Sequence, residues 1–271
     1  MGIVRAFSLS ILLALCAAAQ GALPTGKELG QTIREAGLDP LACFHVRDLS
    51  YSKGAIRLYF NEGYLIFSRP VMGQRLVAVF TTEIEGGDGE VLLIPPSRSE
   101  RQSLASFTKS PTLDEHLRDG LLIFTDLSGN TLLDQLTRGE GGRPAPEMGP
   151  LLAGQWNPVV ANITQPLENR VIEDLLSTQA AEKGMVLAAV SGRSLGAFDL
   201  ISDGRAEHRI AIRQSRGSQD GYDVWSSFLP RGTAAFRDDG EVRPLQYDIH
   251  AEIGADLQVK AASKQIGRAH V

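Results

Sequence analysis

Cysteine is nearly missing from this chain: 271 residues contain only Cys16 and Cys43. Two cysteines cannot build a thiolate zinc cage, and they exclude the disulfide framework that staples small secreted domains. An excess of positive charge is missing too. A formal net charge of -5 and a pI near 5.6 argue against a partner bound by phosphate neutralisation, so no nucleic acid is expected. Histidine pairs are also lacking. His45, His116, His208, His250 and His270 stand apart, and none opens H-E-x-x-H. His116 follows Glu115, but the position four residues on is Gly120, where a zincin helix needs its second histidine. No short repeat of solenoid type is present. These gaps leave no complete set of catalytic or metal-ligating residues.

What remains reads as an ordinary globular chain. Hydrophobic residues make up 43% and charged residues 22%, which excludes wholesale disorder. The length suits one large or two modest domains. Twenty-eight glycines and 13 prolines suit many turns between short strands.

The first residues have the form of a targeting segment. Arg5 gives a positive start, Ile11–Leu15 an apolar run, and Ala17–Ala19 a small-residue cleavage site. Residues 1–19 are therefore expected to be a cleavable signal peptide, which implies export to the periplasm or beyond. The run is too short to span a bilayer as a stable anchor, so no membrane association is expected after cleavage. A lipoprotein reading would acylate Cys16, but Leu15 stands where a small residue is needed. Cleavage would leave Cys43 alone in the apolar stretch Leu41–Phe44, the setting of a buried thiol.

The clearest structural stretch is Ile56–Pro96. Ile56, Leu58 and Phe60 alternate with Arg57 and Tyr59, the period of a half-buried strand. Asn61-Glu62-Gly63 reads as a hairpin loop and Tyr64–Phe67 as the returning strand. Leu76–Phe80 is apolar throughout and is expected to be central. Glu90–Ile94 follows a glycine-rich loop, and Pro95-Pro96 ends it because neither proline can donate to a ladder. Gly26–Gly37 and Arg98–Phe107 read as short helices, Leu113–Leu117 as another, and Leu121–Thr125 as a strand. Gly139–Pro150 holds four glycines and three prolines and is the best linker. Beyond it, Leu167–Ala181 reads as a helix. Met185–Val190, Leu195–Ile201, His208–Arg213, Tyr222–Phe228 and Glu241–Ile253 read as strands. The expected fold class is α+β and β-dominated. Two antiparallel-sheet subdomains, 24–138 and 151–245, would meet across the linker 139–150, with short helices covering one face of each.

Several motifs invite chemistry. Gly192-Arg193-Ser194-Leu195-Gly196 matches the nucleophile elbow of serine hydrolases, with Ser194 as nucleophile. That chemistry needs strand, turn and helix, whereas Ala197–Ile201 is strand-like, so a hairpin turn is the plainer reading. Asp126–Asn130 and Asp238–Glu241 are acidic turns without the twelve-residue calcium loop. Arg205, Arg209, Arg213 and Arg216 form a basic cluster that reads as a solvated strand face. Asn162-Ile163-Thr164 is a glycosylation sequon.

Three runs, Gly63–Val71, Gly87–Pro96 and Glu100–Ala105, together with Asp48-Leu49-Ser50, resemble the leader region of large secreted bacterial proteins. The C-terminal part of those proteins is similar to aminopeptidase-N-type zinc metallopeptidases. Tyr247–Ile253 resembles the opening strand of that family's N-terminal β-domain, and the resemblance spans roughly 38–265. It implies an accessory region whose partner is a catalytic domain in the same chain. It carries no catalytic, cofactor-binding or metal residue to any position here. The family's H-E-x-x-H and G-x-M-E-N motifs are absent, so zinc would belong to a missing C-terminal domain. Residues 246–265 would begin a following β-domain. Ile266–Val271 resembles the translation of a sequencing-adapter read, which implies a truncated reading frame. A free-standing exported β-rich binding or adaptor module is the alternative, and a serine hydrolase using Ser194 a minor one. The sequence leaves the oligomeric state open.

Overall fold

The computed structural model describes residues 23–83, 86–177, 183–216, 221–233, 242–253 and 259–269, so the expected signal peptide lies outside it. The chain divides into two compact units, 1–233 and 234–271. The expected β-dominated α+β class holds.

In the first unit the helices are α1 (Gly26–Glu35), α2 (Arg98–Thr108), α3 (Ser128–Thr137), α4 (Gly149–Ala153), α5 (Trp156–Asn162) and α6 (Gln165–Leu176). The strands are β1 (Leu38–Lys53), β2 (Ile56–Ser68), β3 (Val77–Thr81), β4 (Asp88–Leu93), β5 (Leu113–Phe124), β6 (Gly142–Pro144), β7 (Met185–Gly192), β8 (Ala197–Asp203), β9 (Ile210–Ser215) and β10 (Tyr222–Phe228). They form one antiparallel sheet in the order β10-β9-β8-β7-β5-β3-β2-β1-β6, with β4 also paired to β2 and β5. The sheet runs through the position expected to divide it. β5 pairs with β7 from Leu117↔Gly192 to Phe124↔Val186, joining the two halves. The expected linker is itself structured: β6 pairs with β1, and α4 packs on β1. Gly149 there serves a close backbone approach. A side chain at Gly149 would sit 2.1 Å from the Pro40 carbonyl oxygen.

The centre of the sheet has an uncommon arrangement. β3 and β4 lie end to end in one lane between β2 and β5. β3 takes Tyr64–Phe67 and Asp119–Ile123, and β4 takes Arg57–Glu62 and Leu113–Leu117. Where the two short strands meet, both flanking strands slip register, β2 between Tyr59 and Glu62 and β5 between Leu117 and Asp119. Each bulge shifts the alternation, so the core set Ile56, Leu58, Phe60 continues as Leu65, Phe67, and Leu113, Leu117 as Leu122, Phe124.

This corrects the expected hairpin at Asn61-Glu62-Gly63. β2 passes straight through those residues, and the turn falls earlier, at Gly54 with φ +59° between β1 and β2. Gly63 is required for a different reason: a Cβ there would meet the Thr81 carbonyl oxygen at 2.5 Å and the Phe80 ring at 2.6 Å. Leu113–Leu117, expected as a helix, is the first half of β5, its inward Leu113, Glu115 and Leu117 following the strand period.

Helices cover both faces of the single sheet. Leu104 of α2 and Leu132 and Leu136 of α3 join the larger core with Phe44, Phe60, Phe80 and Phe228. On the other face Leu29 and Ile33 of α1, Val159 of α5, and Val171 and Leu175 of α6 pack over Val77, Ile123 and Leu187. Capping boxes start α1 (Thr25 with Glu28) and α2 (Ser97 with Glu100).

A buried ion cluster ties α6 to the sheet. Asp174 is fully buried and accepts from Thr125 Oγ1 (2.5 Å), Arg170 Nε (2.7 Å) and Arg205 Nη2 (2.6 Å). Arg170 also forks onto Asp203 at 2.9 and 3.1 Å. Burial alone would lower the Arg170 pKa, but these carboxylates raise it above the usual value.

The second unit holds β11 (Val242–Ile253) and β12 (Val259–Ala269), an antiparallel two-stranded sheet paired from Val242↔Ala269 to Ile253↔Val259, with a register shift between Pro244 and Gln246.

Candidate functional site

Sheet register lays out a continuous floor on the face that carries α5. One row runs Ile66, Val79, Leu121, Ala189, Asp199, Arg213 across β2, β3, β5, β7, β8 and β9. The next runs Tyr64, Thr81, Asp119, Ser191, Ala197. Helix α5 stands over this floor and leaves a cleft of about 360 Å³. Val79, Leu121, Ala189 and Val159 make its apolar part, and Asp119, Ser191, Asp199 and Asn162 its polar part. A mostly apolar concavity with a few convergent polar groups is the usual form of a small-ligand site.

The two carboxylates differ. Asp199 is neutralised by Arg213 Nε at 3.0 Å, and that guanidinium lies 3.8 Å over the Tyr222 ring. Asp119 accepts from the Thr81 hydroxyl at 2.8 Å, a neutral donor. The cleft therefore carries its net negative charge at Asp119. Sequence reading missed this site, because α5 was not foreseen and the carboxylates lie on strands distant in sequence. The alternation Asp199–Ile201 and Asp119–Leu121 was the available signal.

At the far end of β5 lies a polar cluster. His116 Nδ1 is 2.9 Å from Asp88 Oδ1, Asn61 Nδ2 donates to Asp88 Oδ2 at 3.1 Å, and Arg193 Nη2 donates to the Gly87 carbonyl at 2.9 Å. The hydrogen bond to Asp88 raises the His116 pKa. Burial alone would raise Asp88, but the hydrogen bonds from His116 and Asn61 and the nearby positive charges hold it below its ordinary value.

Ser194 sits in the turn between β7 and β8, followed by a strand rather than a helix. Its hydroxyl donates to the buried Glu115 carboxylate, which also accepts from the Ser194 and Leu195 backbone N–H groups. Gly192 is needed beneath it, since a Cβ would lie 2.6 Å from Glu115 Oε1. Ser194 thus donates to a carboxylate instead of to the imidazole that activates a nucleophile.

The other sequence candidates are dispersed. Cys43 is buried, and loss of hydration pushes its thiol up to about 11, away from the reactive range. His45 meets Glu62 at 2.6 Å, His208 meets Ser227 at 2.9 Å, His250 is exposed on β11, and His270 lies outside the described residues. Asp126 is held by Lys53 and the Ser128 N–H at the start of α3, while Asp238–Glu241 lies outside the described residues. Three arginines of the basic cluster are paired: Arg205 with Glu173 and Asp174, Arg213 with Asp199, and Arg216 with Asp223. Asn162 closes α5 and donates to the Pro158 carbonyl. Among the described residues no group of three His, Cys, Asp or Glu is placed to hold a metal, so they do not fit a zinc site. No helix among them is long and apolar enough to cross a membrane.

Comparison with protein-family models, with curated proteins and with solved structures finds no match to this chain.

Proposed function

We propose that the chain is the non-catalytic N-terminal region of an exported metallopeptidase-like protein. Its continuous sheet is a packing platform, and its second unit opens the next β-domain. The observation that carries this reading is the β11–β12 ribbon. Asp248, Ile249, His250, Ala251 and Glu252 are all exposed, so both ribbon faces are open at this stretch, and Ile249 is 65% exposed. Two strands alone are marginal in water and need a further apolar layer. A following domain would supply it, and zinc would belong there. The deciding experiment is the unbroken coding sequence beyond Lys264. A downstream H-E-x-x-H supports the reading, and a complete gene without one sinks it. N-terminal sequencing of the mature protein tests export, with cleavage after Ala19 expected.

The cleft over β3, β5, β7 and β8 favours a second reading, a free-standing exported binding module. That reading predicts a stop codon near residue 265 and a stable, monodisperse chain.

A further inference from the structure

A second concavity, separate from the α5 cleft, lies beside the start of α2. It is a groove of about 250 Å³ walled by Ala55, Ile94, Phe228 and Pro230. Two guanidinium groups, those of Arg101 and Arg231, belong to its lining. Arg101 Nη1 donates to the Pro95 and Pro96 carbonyls at 3.0 and 3.1 Å, and Arg231 Nη2 donates to the same Pro96 oxygen at 2.7 Å. Two cations bonded to one oxygen hold those nitrogens within about 6 Å of each other, by the length of two hydrogen bonds. Among the described residues neither has a carboxylate within salt-bridge distance, unlike Arg170, Arg205 and Arg213. The carbonyls take three N–H contacts from groups that together carry ten N–H donors' worth of capacity. Several N–H donors therefore line the groove, on two guanidinium groups without a paired carboxylate among the described residues.

We propose that this groove binds a small amphipathic carboxylate. The carboxylate would bridge Arg101 and Arg231, and a short acyl or aryl tail would lie along Ile94, Ala55 and Pro230. Guanidinium is suited to this because its planar fork matches the two carboxylate oxygens. The apolar wall selects the tail: Ile94 is 57% exposed and would lose that exposure on binding. The volume lies below the roughly 300–1,000 Å³ of drug-sized sites, which limits the ligand to a short acid.

The test is calorimetric titration of the purified chain with hexanoate, acetate and inorganic phosphate. Hexanoate is expected to bind saturably and more tightly than either of the others, and less tightly as salt is raised. R101Q and R231Q should each weaken hexanoate about tenfold or more, since each removes charge-assisted hydrogen bonds. I94S, at an exposed position, should weaken hexanoate and leave acetate unchanged. Thermal unfolding of each variant checks that the fold is kept. Absent hexanoate binding, or binding unchanged in the R101Q/R231Q double variant, overturns the proposal. Phosphate binding equal to hexanoate and indifferent to I94S overturns the amphipathic assignment and leaves a bare anion site.

Discussion

The Ser194 hydroxyl donates to Glu115, a carboxylate only 4% exposed and supplied by a strand 79 residues earlier. The serine of a hydrolase-like pentapeptide is thereby committed to holding a hairpin turn. Glu115→Ala would strand three donors, and a loss of about 2–4 kcal/mol is expected from their number and charge-assisted character. Urea unfolding measures it. Ser194→Ala removes only one of the three donors to the carboxylate and should cost less, about 1.5 kcal/mol. A fluorophosphonate probe should leave the intact mass unchanged, and an adduct at Ser194 would revive the hydrolase reading.

Asp174 carries a heavier burden. Asp174→Ala leaves Arg170, Arg205 and the Thr125 hydroxyl facing an empty buried site. Breaking a buried pair from one side costs about 3–5 kcal/mol. Far-ultraviolet circular dichroism against urea should show a large shift of the midpoint. A shift under 1 kcal/mol would mean that α6 is not anchored through this cluster.

The His116–Asp88 pair sets a pH window. His116 is raised above its ordinary 6.5, so its contribution is full below that value and is lost as pH rises through the raised folded value. Asp88 is lowered below its ordinary 3.8, so its contribution is present above that value and is lost as pH falls through the lowered one. The pair therefore contributes most between about 4 and 6.5. The His116 side chain is 57% exposed, and solvent screening keeps the effect below about 1 kcal/mol. Proton NMR of the His116 ring should show its pKa fall in Asp88→Asn. An unmoved titration would remove Asp88 as the cause.

Glycines separate packing from conformation. Gly63→Ala drives a methyl into Thr81 and Phe80, with about 1–3 kcal/mol lost to overpacking. Gly73 has φ +79° and open space around it, so Gly73→Ala should cost only the left-handed penalty of about 1–2 kcal/mol. Thermal midpoints of the two variants compare them. Adding a Phe80→Leu change should relieve Gly63→Ala and leave Gly73→Ala unaffected.

The unit boundary is testable by truncation. A chain ending at Thr233 retains the whole ten-stranded sheet and should unfold cooperatively. A chain ending at Arg138 loses β6–β10, exposes the β5 edge and the apolar face of β7's partners Leu121–Phe124, and should aggregate. Size exclusion with circular dichroism distinguishes them. A monodisperse folded fragment ending at Arg138 would restore two independent halves.

The sequence by itself determined the local pieces. Period-two alternation marked the first half of β2, Tyr222–Phe228 read as a strand matches β10 at its full extent, Pro95-Pro96 ended the stretch that holds β4, and the β-rich class followed from the number of such segments. These features depend on neighbours a few residues away, and hydrophobic alternation records them directly. The tertiary structure alone decided which strands share a lane. Nothing local in Asn61-Glu62-Gly63 distinguishes a hairpin loop from a bulge passing beneath Phe80, because the answer depends on a strand twenty residues on. The same holds for Asp119, whose cleft needs α5 from another part of the chain, and for Ser194, whose partner Glu115 was committed long before it. Strand pairing is a long-range choice, made by closing loops against the gain of a shared core, and a sequence read in order does not carry it.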